Sequence, residues 1–391
     1  MKTNIFMGLT VTALTLASCS KDEISSVNNL DGKAIGFEIS TGKTRAGVSN
    51  LDVLQHDAEG FGVFATNGAS KNVFIDNEVY RYDGAWRWAA DKVMWPAEED
   101  GYPVNFYAYY PLKNITLNEH LTTHYTVADT PEEQVDLLAT NQTDVMVKPV
   151  SGDVSLAFKH ILSKIDFKVV TGAFATVEVQ SIAIKNVGNT GVFNFARLDW
   201  STQPVEWSSQ YNYMEAPVKT ANIFAGETTP KDVTGSSGSL MLMPQDLSLR
   251  GWDKAIETIG TLSYIEVVYR AYDSQTGEDI VGFTNVDDYP DYEGEVSGPL
   301  FVKVGYPLPT LWLMGKAFTY TIFIADGNSS GGNLVEENFI DENGDDTDIP
   351  VINPETGEPV EPPAPVFPGN TIGFMVSVEG WDETGNIHHL Q

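Results

Sequence analysis

Apolar residues recur at every second position over much of this chain, and the first such stretch predicts a strand near its head. Between Asp31 and Ala46, the residues Ile35, Phe37 and Ile39 alternate with Gly36, Glu38 and Ser40, which puts the apolar set on one face of an extended segment. Gly42 ends the run, and Lys43 and Arg45 place two cations in a connection before Ala46, where a trypsin-like protease finds an accessible backbone. A cut there would take the strand out of its sheet and open an apolar groove.

From Val48 to Pro111 the pattern stays extended and aromatic, through Phe61-Gly62-Val63-Phe64, Val73-Phe74-Ile75, Val79-Tyr80-Arg81-Tyr82, Trp86-Arg87-Trp88 and Val104 to Tyr110. Asp83-Gly84 reads as a two-residue hairpin turn of the type I′ kind. Trp95-Pro96 and Tyr110-Pro111 each end an extended run, because proline brings no backbone donor to a ladder. One short helix is expected over Thr130 to Leu138, with threonine as its cap, Pro131 in the first turn and acids at the positive end of the dipole.

Alternation resumes near Ser151 with Val154-Ser155-Leu156-Ala157-Phe158 and Ile165-Asp166-Phe167-Lys168-Val169, and continues through Val177–Val187, Gly191–Phe195, Ser239–Met243, Tyr264–Tyr272, Pro299–Val304 and Ala317–Ile324. Short strands separated by Gly, Asp and Pro turns predict an all-β protein of two β-sandwich domains, 46–150 and 151–391, with the boundary near Pro149 to Gly152. Residues 336–361 hold ten acids and no Lys or Arg, and prolines overlap and follow them. An extended acidic linker over 327–370 is therefore expected inside the second domain. One more alternating strand returns at 371–381, with Ile372, Phe374, Val376 and Val378 on one face. A lone strand cannot pair its own backbone, so it must join a sheet in this molecule or another, as a terminal or a donor strand.

Ahead of the first strand lies an export signal. Lys2 precedes an apolar run from Ile5 to Leu16, too short to cross a membrane as a stable helix, and Leu16-Ala17-Ser18-Cys19 closes it. Small residues before a lone cysteine form a lipoprotein signal over 1–19, with Cys19 the lipidated residue and 20–45 a propeptide carrying the first strand. Ser20-Lys21-Asp22-Glu23 resembles the surface-export signal of Bacteroidetes lipoproteins, which places the precursor at the outer membrane and the cell surface. Cys19 is the single cysteine of the 391-residue chain, so the exported fold contains no disulfide and no thiol nucleophile. With 54 acidic against 23 basic residues the net charge is −31, which repels nucleic acid and anionic lipid surfaces.

Few residues suit chemistry, and each has a plainer role. Trp86, Trp88, Trp95, Tyr107 and Tyr109 could stack on sugar rings, but alternating aromatics are also what a sandwich core requires. His120 and His124 fall in a strand-like stretch, where residues four apart stand about 13 Å from each other. His160 is read as a structural histidine, with no acid or nucleophile identifiable beside it. Asp341 to Asp348 resembles half a calcium loop but has Ile352 where the twelfth-position glutamate belongs. No catalytic residue, metal ligand or cofactor is assigned, and the chain is read as a non-enzyme. The alternative is a surface glycan-binding lipoprotein held through Cys19.

The order of short motifs resembles the fimbrillin family of Bacteroidetes, the subunits of type V pili. It rests on the cysteine-terminated signal, Thr44-Arg45-Ala46, Phe61-Gly62-Val63-Phe64-Ala65-Thr66, Trp95-Pro96, Phe106 to Pro111, Phe158 to Lys164, Leu240 to Gln245 and Lys316 to Ile322. The resemblance implies two transthyretin-like β-sandwich domains in tandem and lipoprotein export. It also implies cleavage between Arg45 and Ala46 by an Arg-specific maturation protease, and filling of the vacated groove by a neighbour's strand. Partners implied are other pilus subunits, the outer membrane through the precursor's lipid, and a host protein or glycan as adhesion target.

Overall fold

The computed structural model describes residues 34–41, 59–68, 72–88, 93–96, 102–112, 115–118, 120–146, 149, 151–171, 175–201, 209–212, 230–233, 238–247, 263–289, 294, 296–308, 310–324, 334–335, 338–351, 359, 364–365 and 372–380. Apart from one-turn 3-10 helices at Pro131–Glu133 and Val286–Asp288, the described elements are strands. The first half holds β1 (Gly36–Thr41), β2 (Phe61–Asn67), β3 (Asn72–Tyr82), β4 (Trp86–Trp88), β5 (Val104–Tyr110), β6 (Thr122–Thr126), β7 (Leu138–Val145) and β8 (Asp153–His160). Seven of these close into a barrel in the order β1-β4-β3-β2-β5-β7-β8, and β6 stands outside it. Closure depends on β1, which lies parallel to β8 on one edge and meets β4 on the other.

Inside the barrel, Phe61, Val63, Phe106, Ala108, Val154, Leu156 and Phe158 pack with Ile35, Phe37 and Ile39. Phe64, Tyr107 and Tyr109 point the other way and join the core of the second half, where Phe195 meets Phe64 and Tyr109. That double burial explains why β2 and β5 read as nearly continuous apolar runs rather than clean alternation. Gly62 is required here: a Cβ would fall 2.3 Å from the Tyr109 ring that lies against it.

The second half contains β9 (Ser163–Thr171), β10 (Ala175–Val187), β11 (Thr190–Asn194), β12 (Asp199–Ser201), β13 (Ser209–Asn212), β14 (Lys231–Asp232), β15 (Leu240–Leu242) and β16 (Tyr264–Asp273). It continues through β17 (Asp279–Val281), β18 (Val302–Pro307), β19 (Lys316–Ile324), β20 (Leu334–Val335), β21 (Asn338–Ile340), β22 (Asp346–Pro350), β23 (Ala364–Pro365) and β24 (Ile372–Gly380). One sheet runs β13-β10-β16-β18-β20-β23 with β17 beside β16, and a second runs β14-β9-β19-β24 with β15 also on β9. Ile165, Phe167, Val169, Phe318, Tyr320 and Ile322 from the second share one core with Val177, Val179, Ile182, Ile184, Val267 and Tyr269 from the first. β6 crosses from the first half to pair with β11, giving a small sheet β12-β11-β6.

Four expectations change. The switch between sheets falls at Ile161-Leu162 rather than near 150, because β8 completes the barrel against β7 and β1 before the chain enters β9. The helix expected over Thr130 to Leu138 is a single 3-10 turn: Thr130 makes no side-chain cap, and Leu138 already pairs in β7. The Asp83-Gly84 turn has three residues between paired Tyr82 and Trp86, and positive φ falls on Gly84. Within the expected acidic linker, residues 338–350 form the β21–β22 hairpin. Phe339, Ile340, Ile349 and Val351 are buried, and Ile340 packs with Val268 of β16 and with Phe301, which it bridges just before β18. The solvated acids of this hairpin conceal an ordinary alternating pattern.

Candidate functional site

The feature that stands apart is the seat of β1. Ile35, Phe37 and Ile39 are buried, whereas Glu38 and Ser40 are exposed, as the alternation requires. The parallel ladder to β8 runs from Gly36 opposite Asp153 to Thr41 opposite Phe158. On the β4 side the contact is sparse: Phe37 pairs with Trp86, Ala34 bridges Met94, and the Ile35 amide donates to the Val93 carbonyl at 2.7 Å. The Phe37 ring occupies an aromatic socket, edge-to-face with Tyr80 at 4.6 Å, Phe106 at 5.7 Å and Phe61 at 6.0 Å. Burial in this socket, with the charge of Glu78 nearby, pushes the Tyr80 hydroxyl far above its ordinary pKa.

The three side chains of β1 together bury enough apolar surface to contribute about 5–9 kcal/mol. That is comparable to the whole stability of a typical domain, about 5–15 kcal/mol. A barrel that lost β1 would therefore not keep an empty groove. It would take a replacement strand or collapse, and the replacement must satisfy both the open backbone edge of β8 and the sockets.

The terminal strand β24 sits at the edge of the second sheet, antiparallel to β19 from Lys316 opposite Gly380 to Ile324 opposite Ile372. Val376 is buried, and Val378 packs partly against the core. Its sequence repeats that of β1. Ile35-Gly36-Phe37-Glu38-Ile39-Ser40 and Ile372-Gly373-Phe374-Met375-Val376-Ser377 share Ile, Gly, Phe and Ser at matching positions, with Val for Ile at the fifth. Aligning the two alternating strands with each other, instead of reading each by itself, is the signal that identifies this correspondence.

Other candidates are accounted for by packing. Trp86, Trp95, Tyr107 and Tyr109 are buried, so these four form no exposed aromatic platform; the Trp88 side chain lies outside the described residues. His124 is exposed in β6, and His120 lies exposed in the turn before it. His160 is buried and does have an acid beside it, since its Nδ1 lies 2.8 Å from an Asp136 carboxylate oxygen. Asp136 is 24 residues away in sequence, which hid it. The Asp341 carboxylate accepts from the backbone amides of Asn343 and Asp345, at 2.8 and 2.9 Å, and thereby shapes the β21–β22 turn. Cys19, Arg45 and Ala46 lie outside the described residues, as do the side chains of Ile372 and Phe374.

Comparison with known proteins follows the same lines. A crystallised fimbrial protein from Bacteroides vulgatus superimposes with a TM-score of 0.54 at 16% identity, covering 79% of this chain and 99% of that one. Crystallised proteins described as putative cell adhesion proteins also match. That from Bacteroides uniformis has a TM-score of 0.41 and 14% identity, over 78% of this chain and 97% of its own. That from Bacteroides ovatus has the same score and identity, over 79% and 97%. No curated protein matches the sequence. A family model described as fimbrillin-like matches residues 44–335, which is most of the chain. The chain belongs to the fimbrillin-like family.

Proposed function

We propose that this chain is a structural subunit of a type V fimbria, in the stalk, at the tip or as an accessory, and that it supports adhesion at the cell surface without catalysis. It is exported as a lipoprotein through Cys19, cleaved between Arg45 and Ala46 by an Arg-specific protease, and polymerised by donor-strand exchange. The observation that supports this reading is that β1, buried against β8, and β24, at the edge of another sheet, share Ile, Gly, Phe and Ser at matching positions. In the exchanged state, Ile372, Gly373, Phe374, Val376 and Ser377 of one copy take the places of Ile35, Gly36, Phe37, Ile39 and Ser40 in the next. The donor then runs parallel to β8, and Phe374 fills the socket of Phe37. Head-to-tail exchange of this kind is heterologous and builds filaments rather than closed rings.

The test is the N-terminal residue of the protein recovered from the cell surface, read by mass spectrometry, in the parent and in Arg45→Ala. Ala46 at the terminus of the parent, with an uncleaved, secreted and unpolymerised Arg45→Ala, is the expected result. A lipidated Cys19 on assembled polymers would overturn it, since β1 would then still occupy its groove.

A further inference from the structure

The strand directions define two ends of the molecule. In the barrel, β1 and β8 run in parallel from a free end, at Gly36 and Asp153, toward the second half, which β8 enters through Ile161-Leu162. The same free end carries the start of β3, the start of β5 and the end of β7, because Thr66 pairs with Val73, Asn67 with Val104, and Val104 with Val145. Three large apolar side chains are exposed there: Val73 at 56%, Met94 at 42% and Met146 at 63%. In the second half, β9 and β19 run parallel away from the barrel, and β24 begins opposite Ile324 at their far end. The β16–β17 hairpin reaches that far end as well, since Ala175 pairs with Asp273 and Tyr272 with Asp279, and it exposes Ile280 at 42%.

We propose that the free end of the barrel, with Val73, Met94 and Met146, is a docking surface for the far end of a second copy, centred on the β16–β17 hairpin around Ile280. This rests on the strand-exchange reading and adds an interface between the folded bodies. The directions fit without a reversal. A donor leaves one copy at the far end of its second half and enters the next at the free end of its barrel, where position 36 lies. The tether is short as well. With β23 still paired to β20 through Ala364 and Pro365, only Val366 to Thr371 separate it from the donor strand, and six residues span at most about 20 Å. The two ends are thus held together, and apolar groups on both become buried. The hairpin is also acidic, with Asp273, Glu278 and Asp279. The Asp273 carboxylate accepts from the amides of Gln275 and Thr276, and these bonds hold its pKa below the ordinary value.

The experiment uses the full-length chain, cleaved by an arginine-specific protease, with filament growth followed by light scattering and electron microscopy. Met146→Glu and Ile280→Glu are each expected to slow growth at least tenfold, while the melting of the uncleaved variants matches the parent. Met146→Lys, facing the acidic hairpin, is expected to slow growth less than Met146→Glu. Growth of all variants at the parental rate would overturn the docking surface and leave strand exchange standing. An equal loss in Met146→Lys and Met146→Glu would overturn the hairpin as the partner. A cleaved parent that forms no polymer would overturn the strand-exchange reading together with the interface built on it.

Discussion

β1 and β24 carry the same Ile-Gly-Phe motif in different settings. β1 has neighbours on both edges, six register positions along β8 and a further contact to β4, and its apolar residues enter the centre of a closed barrel. β24 has one described neighbour, β19, and lies at the edge of its sheet. An edge strand can peel away by breaking one ladder, whereas an internal strand cannot leave without opening the whole barrel. The difference fits the roles proposed above: release of the internal strand calls for an irreversible step, such as peptide cleavage, whereas the edge strand has a single described ladder to break.

The sharpest way to break the comparison is at the Phe37 socket. Phe37→Ala in the uncleaved chain removes the ring that meets Tyr80, Phe106 and Phe61. It is expected to cost about 3–5 kcal/mol, the usual range for a buried Phe→Ala change. Urea denaturation of the precursor measures it through the shift in midpoint. A loss below about 1 kcal/mol, typical of surface substitutions rather than core cavities, would show that β1 does not anchor the barrel.

Tyr80 gives a second handle on the same socket. Desolvation raises the pKa of its hydroxyl well above that of an ordinary tyrosine, about 10. Tyr320, on the core face of β19, is pushed up to about 12 mainly by burial, although the Trp312 and Thr310 bonds oppose the shift. Because each folded-state pKa exceeds the unfolded one, the stability linked to these groups is fully present below about pH 10 and is lost as pH rises through the folded values. Release of β1 should move only Tyr80, back toward its ordinary value, as the socket becomes wet. Ring-carbon NMR shifts assigned to Tyr80 and Tyr320 in an alkaline titration, before and after cleavage, read the two tyrosines separately. A downward shift of the Tyr320 titration instead would place the opening in the second sheet.

Much of this arrangement was legible in the sequence, because period-2 patterns are local. Ile35, Phe37 and Ile39 are the buried face of β1, and Val376 is buried in β24, as alternation requires. What escaped was non-local. Nothing near Asp153 marks β8 as the parallel partner of β1, and that pairing moves the change of sheet to Ile161-Leu162. Asp136 reaches His160 only once β7 and β8 pair. The hairpin over 338–350 was hidden by composition: acidic residues on its exposed positions outweigh Phe339, Ile340 and Ile349 in any average. The Ile-Gly-Phe correspondence is in the sequence itself, and becomes meaningful once β1 is seen to fill a socket.

A smaller effect is expected on the other side of the comparison. Val376→Ala removes two buried methyl groups from an edge strand, at a cost of about 1–2 kcal/mol. In the uncleaved monomer this should appear as faster amide exchange confined to β24 and β19, with the barrel unchanged. Equal acceleration in β1 would show that the two strands open as one unit, contrary to the separation of an internal and an edge strand.

The smallest expected effect concerns the entrance to the groove. The Trp95 indole donates from Nε1 to the Gly152 carbonyl at 3.0 Å, and the Gly36 amide donates to the same oxygen at 3.4 Å. Trp95→Phe keeps the ring packing against Phe106 and removes the indole donor. Loss of one such bond costs about 1 kcal/mol, read as a denaturation midpoint in the precursor. Its consequence for exchange follows from geometry. Trp95 fixes the oxygen that receives the Gly36 amide, and in the proposed exchanged state the Gly373 amide would meet the same oxygen, so freeing it would weaken register at the entrance. Donor-strand binding to the cleaved chain should then weaken by up to about tenfold, equivalent to about 1.4 kcal/mol. An unaltered affinity with a lowered precursor stability would confine Trp95 to holding β1, and would make the socket of Phe37 the feature that sets the register of the incoming strand.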